Sequence, residues 1–386
     1  MITCIKSNRV IFPDGVHPGY VYLKDGKILY AGAEEQPCDK LVDYGNLYIS
    51  PGFIDLHTHG GKGYSYAVCS EQEALDAIHY HMQHGTTTLY PTIAAAPIWH
   101  MEQSVKMVAG IMDSGSAPIN IPGVHMEGPY LSLKQVGAMC PDFITPPKEA
   151  DYMSVLEKYG KYIKRWGYAP ENDPEQAFCR ALVSRGILPA VCHSDATYEE
   201  LLPAFEAGCT LVTHLYSCTS TITRTQGYRH LGIIETAYLL DDMDIEVITD
   251  GKHVPLELLR MIFKCKDHDH IALITDSISA AGQDLSKENQ GMIGFLVEDG
   301  VCKLLDRSAF AGSIATADVL VRTAMQAGCS VDDAINMLTK VPARIMNLPK
   351  GSLKAGLDAD VVVFDDDICI KAVYVMGEEK IGVDKT

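Results

Sequence analysis

Two histidines separated by one residue, His57 and His59 in Asp55-Leu56-His57-Thr58-His59-Gly60, close an apolar run. In an extended strand, residues two apart point to the same side, so both imidazoles can reach one ion. Such a pair is weak evidence alone, because histidines so spaced also serve as core or surface fillers. The sequence carries further candidates, each at the end of an apolar run: Glu127 in His125-Met126-Glu127-Gly128-Pro129, His193 in Cys192-His193-Ser194-Asp195, His214 in Thr213-His214-Leu215 and Asp276 in Thr275-Asp276-Ser277. Each could be a satisfied structural group. Together, imidazoles and carboxylates gathered in one dehydrated place are costly unless a cation or a mutual hydrogen-bond network compensates them. Imidazole with carboxylate suits Zn²⁺ or Fe²⁺ better than Mg²⁺, and this set is large enough for one ion or for two bridged by Glu127.

The elements that must bring these residues together read as a repeating strand and helix. Strands are expected at 49–56, 86–92, 119–127, 163–169, 188–193, 210–214, 245–249 and 271–276, with helical periodicity at 71–84, 101–114, 175–185, 198–207 and 256–265. Gly85, Gly186 and Gly208 sit where three of these helices should stop. Eightfold alternation of this kind closes into an α/β fold, a (β/α)8 TIM barrel, whose chemistry sits at the C-terminal ends of the strands. The first 48 residues read as short strands with an Asp25-Gly26 hairpin signal, and the stretch after Pro349 has the same texture. Residues 1–48 and 347–386 are therefore expected to meet as one small β-sandwich domain flanking a barrel of residues 49–346.

Composition excludes several classes. Fifty acidic against 32 basic residues give a net charge of −18, which repels a phosphate backbone, so no nucleic-acid partner is expected. No apolar stretch reaches the roughly 20 residues of a membrane span, and the opening MITCIKSNRVIFPDG lacks the features of a secretory signal, so a cytoplasmic location is expected. The 12 cysteines include no CxxC pair and read as reduced, mostly buried, small apolar side chains. His79, His81 and His84 do not align on one helix face and are discounted as ligands. Cys265, His268 and His270 precede the last strand and read as an exposed loop, and Asp365-Asp366-Asp367 as a solvated turn.

The run SPGFIDLHTHG, then HMEGPYL, CHSDAT, THLY, DGKHV and ITDSISAAG, closing with GSLKAGLDADVVVFD, resembles the N-acetylglucosamine-6-phosphate deacetylases of the amidohydrolase superfamily over nearly the whole chain. The resemblance implies a barrel with a β-sandwich flank and a homodimer. It implies a metal held by Glu127, His193 and His214, a second ion at His57 and His59, and Asp276 as the proton-transfer residue. Ala138, Ser217, Cys218, Arg224, His253, Ala311 and Gly312 are the substrate contacts it suggests, for a small amino-sugar substrate. The expected reaction is hydrolysis of the N-acetyl amide: a divalent ion acidifies water, Asp276 takes its proton, and the same residue returns it to the leaving amine.

The sequence departs from the family at the substrate side. Where relatives have Gly-Ala-His, with a histidine that helps to polarise the carbonyl, this chain has Gly137-Ala138-Met139. Where relatives continue His-Leu-Tyr with Asn-Ala-Met and Gly-Arg-Glu-Pro-Gly, this chain has Ser217-Cys218-Thr219 and then Thr223-Arg224-Thr225-Gln226-Gly227-Tyr228-Arg229-His230. The alternatives are a deacylase of another or unphosphorylated N-acyl sugar or other amide, and a barrel that binds a sugar without turnover. Asp276 speaks against the last, since a pure binder needs no carboxylate proton shuttle.

Overall fold

The computed structural model describes residues 1–283, 289–290 and 294–382. Eight parallel strands lie in chain order: Phe53–Thr58, Thr86–Ala94, Val124–Glu127, Ile163–Tyr168, Leu188–Val191, Leu211–Val212, Asp244–Ile248 and Ile271–Ile274. Each is hydrogen-bonded to the next, and a parallel bridge between Thr58 and Ser277 closes the first onto the last. Strands covered on both faces read as continuous buried runs, and Phe53–Thr58 and Val124–Glu127 are buried at every position.

Helices over Glu71–Gln83, Ile98–Ser114, Ala177–Val183, Tyr198–Glu206 and Leu256–Cys265 lie where periodicity put them, within a few residues. Ala74, Ile78 and Met82 of the first and Val105 and Val108 of the second pack into one core with Leu89 and Ile93 of the strand between them. Capping boxes fix two starts: Ser70 with Glu73, and Thr197 with Glu200 directly after the His193 loop. Gly85, Gly186 and Gly208 follow helix ends with φ of 91°, 67° and 111°. Glu149–Tyr159, Ile233–Leu239, Ala317–Gln326, Val331–Leu338 and Lys340–Ile345 are further helices that periodicity did not single out.

The expected first strand is two strands. Tyr48–Pro51 pairs antiparallel with Val361–Phe364 in a second sheet, and only Phe53–Thr58 enters the barrel. Gly52 is the joint: its N–H donates to the Asp360 carbonyl, and a Cβ there would come within 2.1 Å of Thr87 Oγ1. The third strand is also shorter than the expected 119–127, beginning at Val124.

The second sheet has eight strands drawn from both chain ends, with Thr3–Phe12 at its centre beside Gly15–Lys24, Lys40–Asp43 and Tyr48–Pro51, with Lys27–Gly32 beyond Gly15–Lys24, and with Ile370–Val375 and Glu378–Ile381 beyond Val361–Phe364. Ile5, Val10, Val21, Ile49, Val361 and Val363 form its own core. Buried Lys350 ties it to the barrel, donating to Asp360 at 2.7 Å and to Thr88 Oγ1 at 3.2 Å.

Candidate metal centre

The strand ends converge on one buried cluster. His57 and His59 present their Nε2 atoms 3.2 Å apart. Three other cluster residues bend away from extended geometry: His193, His214 and Asp276 have φ of 43°, 33° and 47°, the left-handed region that side-chain-bearing residues rarely enter. Such strain persists only where surroundings over-determine it. At Asp276 they do: its N–H donates to the His57 carbonyl and its own carbonyl accepts from Ser313 N, each at 2.9 Å.

The groups fall into two sets joined by Glu127. Glu127, Cys192, His193 and His214 form one, and His57, His59 and Asp276 the other, each with ligand atoms mutually within 4.8 Å. Glu127 Oε1 lies 3.0 Å from His214 Nε2 and 3.3 Å from His193 Nε2. Its Oε2 lies 3.1 Å from His59 Nε2, yet it is buried without a hydrogen-bond partner. Asp276 Oδ1 is 3.2 Å from His59 Nε2 and 3.4 Å from His57 Nε2. His193 Nδ1 bonds the Gln135 carbonyl at 2.8 Å and His214 Nδ1 bonds the Ser217 carbonyl at 3.0 Å. A carbonyl only accepts, so both Nδ1 atoms carry a proton, which leaves each Nε2, facing Glu127, to take either a proton donated to that carboxylate or a cation, as a metal-ligating histidine does. A buried, unpartnered carboxylate oxygen among imidazole nitrogens is a donor set that fits a divalent cation.

The electrostatics agree. Burial would raise the carboxyl of Glu127, but the charge of His57 and bonds from His193 and His214 hold it well below the usual range. Asp276 is likewise pushed up by burial and pulled further down by His57 and His59, to about 2. For His59 burial works downward, and Asp276 and Glu127 overcome it, raising the imidazole to about 10. Both carboxylates are therefore ionised, and protons compete with a cation for the same Nε2 lone pairs.

The substrate-side residues are placed less uniformly. Ala138 and Met139 lie on the loop after the third strand, where Met139 packs against Ala95, Leu131 and Cys192. A Cβ on the neighbouring Gly137 would come within 2.4 Å of Cys218 Sγ and 3.2 Å of the His193 ring, so this loop and Cys218 both border the ligands. Ser217 meets the cluster through its carbonyl. His253 is anchored by Asp250 at 2.7 Å and stacks edge-on with Phe310, next to Ala311 and Gly312. A Cβ on Gly312 would lie 3.2 Å from the Asp276 carbonyl. Arg224 is different: it stands exposed on a hairpin, opposite Arg229, with no hydrogen bond or ion pair among the described residues.

Several contributors escaped sequence reasoning. Cys192, read only as a small apolar side chain, has Sγ 3.5 Å from Glu127 Oε1. Asp55, two residues before His57 on the same strand, accepts from Thr275 Oγ1 at 2.6 Å. Glu171 holds the loop after His193 by accepting from Ser194 Oγ at 2.6 Å and Asp195 N at 2.7 Å. Arg165 and Glu246 are fully buried in the barrel interior; each shares its strand with a second charged residue, Lys164 and Asp244, so charge alone did not single them out. The discounted His81 is buried under the ligand loop, with Nε2 2.9 Å from the Gly60 carbonyl. His268 and His270 form a half-buried 3-10 turn rather than an exposed loop, because His270 bonds Asp244 at 2.8 Å. Among the described residues no helix is long and apolar enough to cross a membrane.

The profile of the Amidohydrolase family matches residues 48–380. The N-acetylglucosamine-6-phosphate deacetylase of Lysinibacillus sphaericus is 29% identical over 378 residues, covering 94% of this chain and 93% of that protein. The N-acetylgalactosamine-6-phosphate deacetylase of Shewanella sp. is 32% identical over 332 residues, covering 85% and 82%. The crystal structure of N-acetyl-D-glucosamine-6-phosphate deacetylase from Mycobacterium smegmatis superposes with a TM-score of 0.91 at 28% identity, covering 98% of this chain and 100% of that one.

Proposed function

The chain belongs to the amidohydrolase family, and from that premise we propose that it hydrolyses the acetamide of an N-acetyl amino-sugar 6-phosphate, N-acetylglucosamine 6-phosphate first, to the free amino sugar and acetate. The observation that carries the reading is the carboxylate of Glu127, which reaches His193 and His214 through one oxygen and His59 through the other, with Asp276 beside His57 and His59. Glu127, His193 and His214 would hold one ion, and His57 and His59 a second that shares Glu127. Zn or Fe suits these donors. When bound, such a cation supplies Lewis acidity, acidifying water and polarising the amide carbonyl.

The protein's own residues then divide the work. Asp276, ionised, accepts a proton from the attacking water at a carboxylate oxygen. It returns that proton to the amide nitrogen as the C–N bond breaks, so one water is consumed and one acetate released. Met139 offers no hydrogen bond to the carbonyl, so its polarisation would fall to a cation that His57 and His59 would hold. Ala138, Ser217, Cys218, His253, Ala311 and Gly312 would border the sugar, and Arg224 is the candidate for its phosphate. The family resemblance supports a homodimer as the working unit, which sedimentation at assay concentration tests.

N-acetylgalactosamine 6-phosphate is a second reading, favoured by the Shewanella relative. The deciding experiment is acetate release from N-acetylglucosamine and N-acetylgalactosamine, each with and without the 6-phosphate, on enzyme loaded with Zn²⁺ or Fe²⁺. Highest kcat/KM is expected on a phosphorylated N-acetyl sugar. No acetate from any of the four overturns the proposal.

A further inference from the structure

Beneath the ligand layer, a charged pair fills space that barrels ordinarily pack with branched apolar side chains. Arg165 and Glu246 are both fully buried. The guanidinium grips both carboxylate oxygens of Glu246, and it also donates to Thr213 Oγ1 at 2.7 Å and to the Leu56 carbonyl at 3.2 Å. Thr213 precedes His214 and Leu56 precedes His57, so one side chain ties together the strands carrying two ligands. Exchanging a buried ion pair for apolar residues of similar volume is often neutral or stabilising, so stability alone gives this pair no purpose.

The third neighbour of the pair supplies one. His57 Nδ1 is buried with no hydrogen-bond partner, and Glu246 Oε2 stands 3.9 Å away. His193 and His214 already have carbonyl acceptors for Nδ1–H; the nearby Asp55 is occupied by Thr275 Oγ1 and by the backbone N–H of His57. A shift of about 1 Å brings the His57 ring to hydrogen-bond length. His125 packs edge-on against that ring at 4.9 Å, limiting its other orientations. We propose that Glu246, oriented by Arg165, is a positioning residue that accepts Nδ1–H of His57 and so directs Nε2 toward the ion shared with His59.

This inference rests on the two-ion reading, and the test separates the two. Zn²⁺ binding is measured by equilibrium dialysis with elemental analysis on wild type and two charge-neutral variants, Arg165→Met/Glu246→Leu and Arg165→Met/Glu246→Gln, with melting of the metal-free proteins as the control for folding. Wild type should take up two ions. The leucine variant should keep one ion tightly and bind the other about 10 to 100-fold more weakly, the usual loss when a partner of a ligand is removed. The glutamine variant, whose amide oxygen still accepts, should recover most of that loss. Two ions bound as tightly by the leucine variant as by wild type overturn this inference alone, as does equal loss in both variants, which assigns the effect to packing. A wild type that takes up one ion overturns the two-ion reading and this inference with it. If neither variant folds, ¹⁵N-histidine NMR of the Zn-loaded wild type decides: the His57 signal, assigned by its loss in His57→Ala, should report a protonated Nδ1, and an unprotonated one overturns the proposal.

Discussion

Oε2 of Glu127 lies 3.1 Å from Nε2 of His59, while its Oε1 lies 3.0 Å from Nε2 of His214. One carboxylate therefore belongs to both halves of the site, and its negative charge is what both sets of imidazoles face. Glu127→Gln keeps the shape and removes the charge. Bound metal measured by elemental analysis should fall at both positions, by more than the roughly 10 to 100-fold typical of an outer partner. A variant that still holds two equivalents after dialysis would remove Glu127 from its bridging role.

Asp276 gives a prediction that separates turnover from binding. Asp276→Asn can keep the backbone bonds that hold the residue, to the His57 carbonyl and from Ser313 N, because neither uses the side chain. The amide cannot take the water's proton, so kcat should drop about 10² to 10⁴-fold while the melting curve stays close to that of wild type. Retention of most of kcat on the best substrate would reassign the proton shuttle.

Much of this arrangement was legible in the sequence because its signals are local. An apolar run ending in a ligand-type residue announces a barrel strand and its chemistry together, and each such residue proposed as a ligand lies in the cluster. What stayed hidden depends on partners far apart in the chain. Arg165 and Glu246 compensate each other across the barrel, so neither strand alone reveals why a charge is tolerated there. The split at Gly52 was hidden for a similar reason: the residues on both sides are apolar and buried, and only the Asp360 carbonyl, more than 300 positions away, diverts the chain from one sheet to the other. Cys192 was read by its usual packing role because its distance to Glu127 arises from folding, not from spacing.

On the proposed reading, Met139 in place of the relatives' carbonyl-polarising histidine would concentrate the electrophilic task on an ion held by His57 and His59. His57→Ala combined with His59→Ala should reduce kcat by at least the about 10² to 10³-fold that removal of one oxyanion stabiliser costs. Glu127, His193 and His214 should still retain one ion by elemental analysis. A double variant that keeps one ion and full rate would contradict the argument from Met139.

A separate prediction concerns acid stability. Burial pushes the carboxyl of Asp318 up, but bonds from His84 at 3.1 Å and Thr316 at 2.6 Å, with Arg322 nearby, bring it down to about 2, below its ordinary 3.8. A depressed carboxyl stabilises the fold above its unfolded value and loses that contribution as pH falls toward the folded one. Asp318→Asn should therefore cost about 2 kcal/mol near neutral pH. The gap to wild type, read from denaturant unfolding of the metal-free proteins, should narrow as pH falls below about 4. A gap independent of pH would show that the ion pair contributes nothing.

The phosphate of the proposed substrate needs local positive charge, because a net charge of −18 repels a dianion at long range. Arg224 is exposed and has no ion pair or hydrogen bond among the described residues, so its guanidinium is available for bidentate contact with phosphate oxygens. Arg229 lies opposite it across the hairpin. An exposed contact of this kind is weakened by solvent and salt, which places the expected effect near the low end of charge-assisted hydrogen bonds, about 1.5 kcal/mol or roughly tenfold. Arg224→Ala should lower the ratio of kcat/KM for the 6-phosphorylated over the free N-acetyl sugar by about that factor, with kcat/KM on the free sugar unchanged. The difference should shrink as salt is raised, because screening acts on the exposed pair and not on the buried centre. If Arg224→Ala leaves the ratio intact at low salt, the phosphate is held elsewhere, and Arg229→Ala, assayed in the same way, decides whether the hairpin takes part at all.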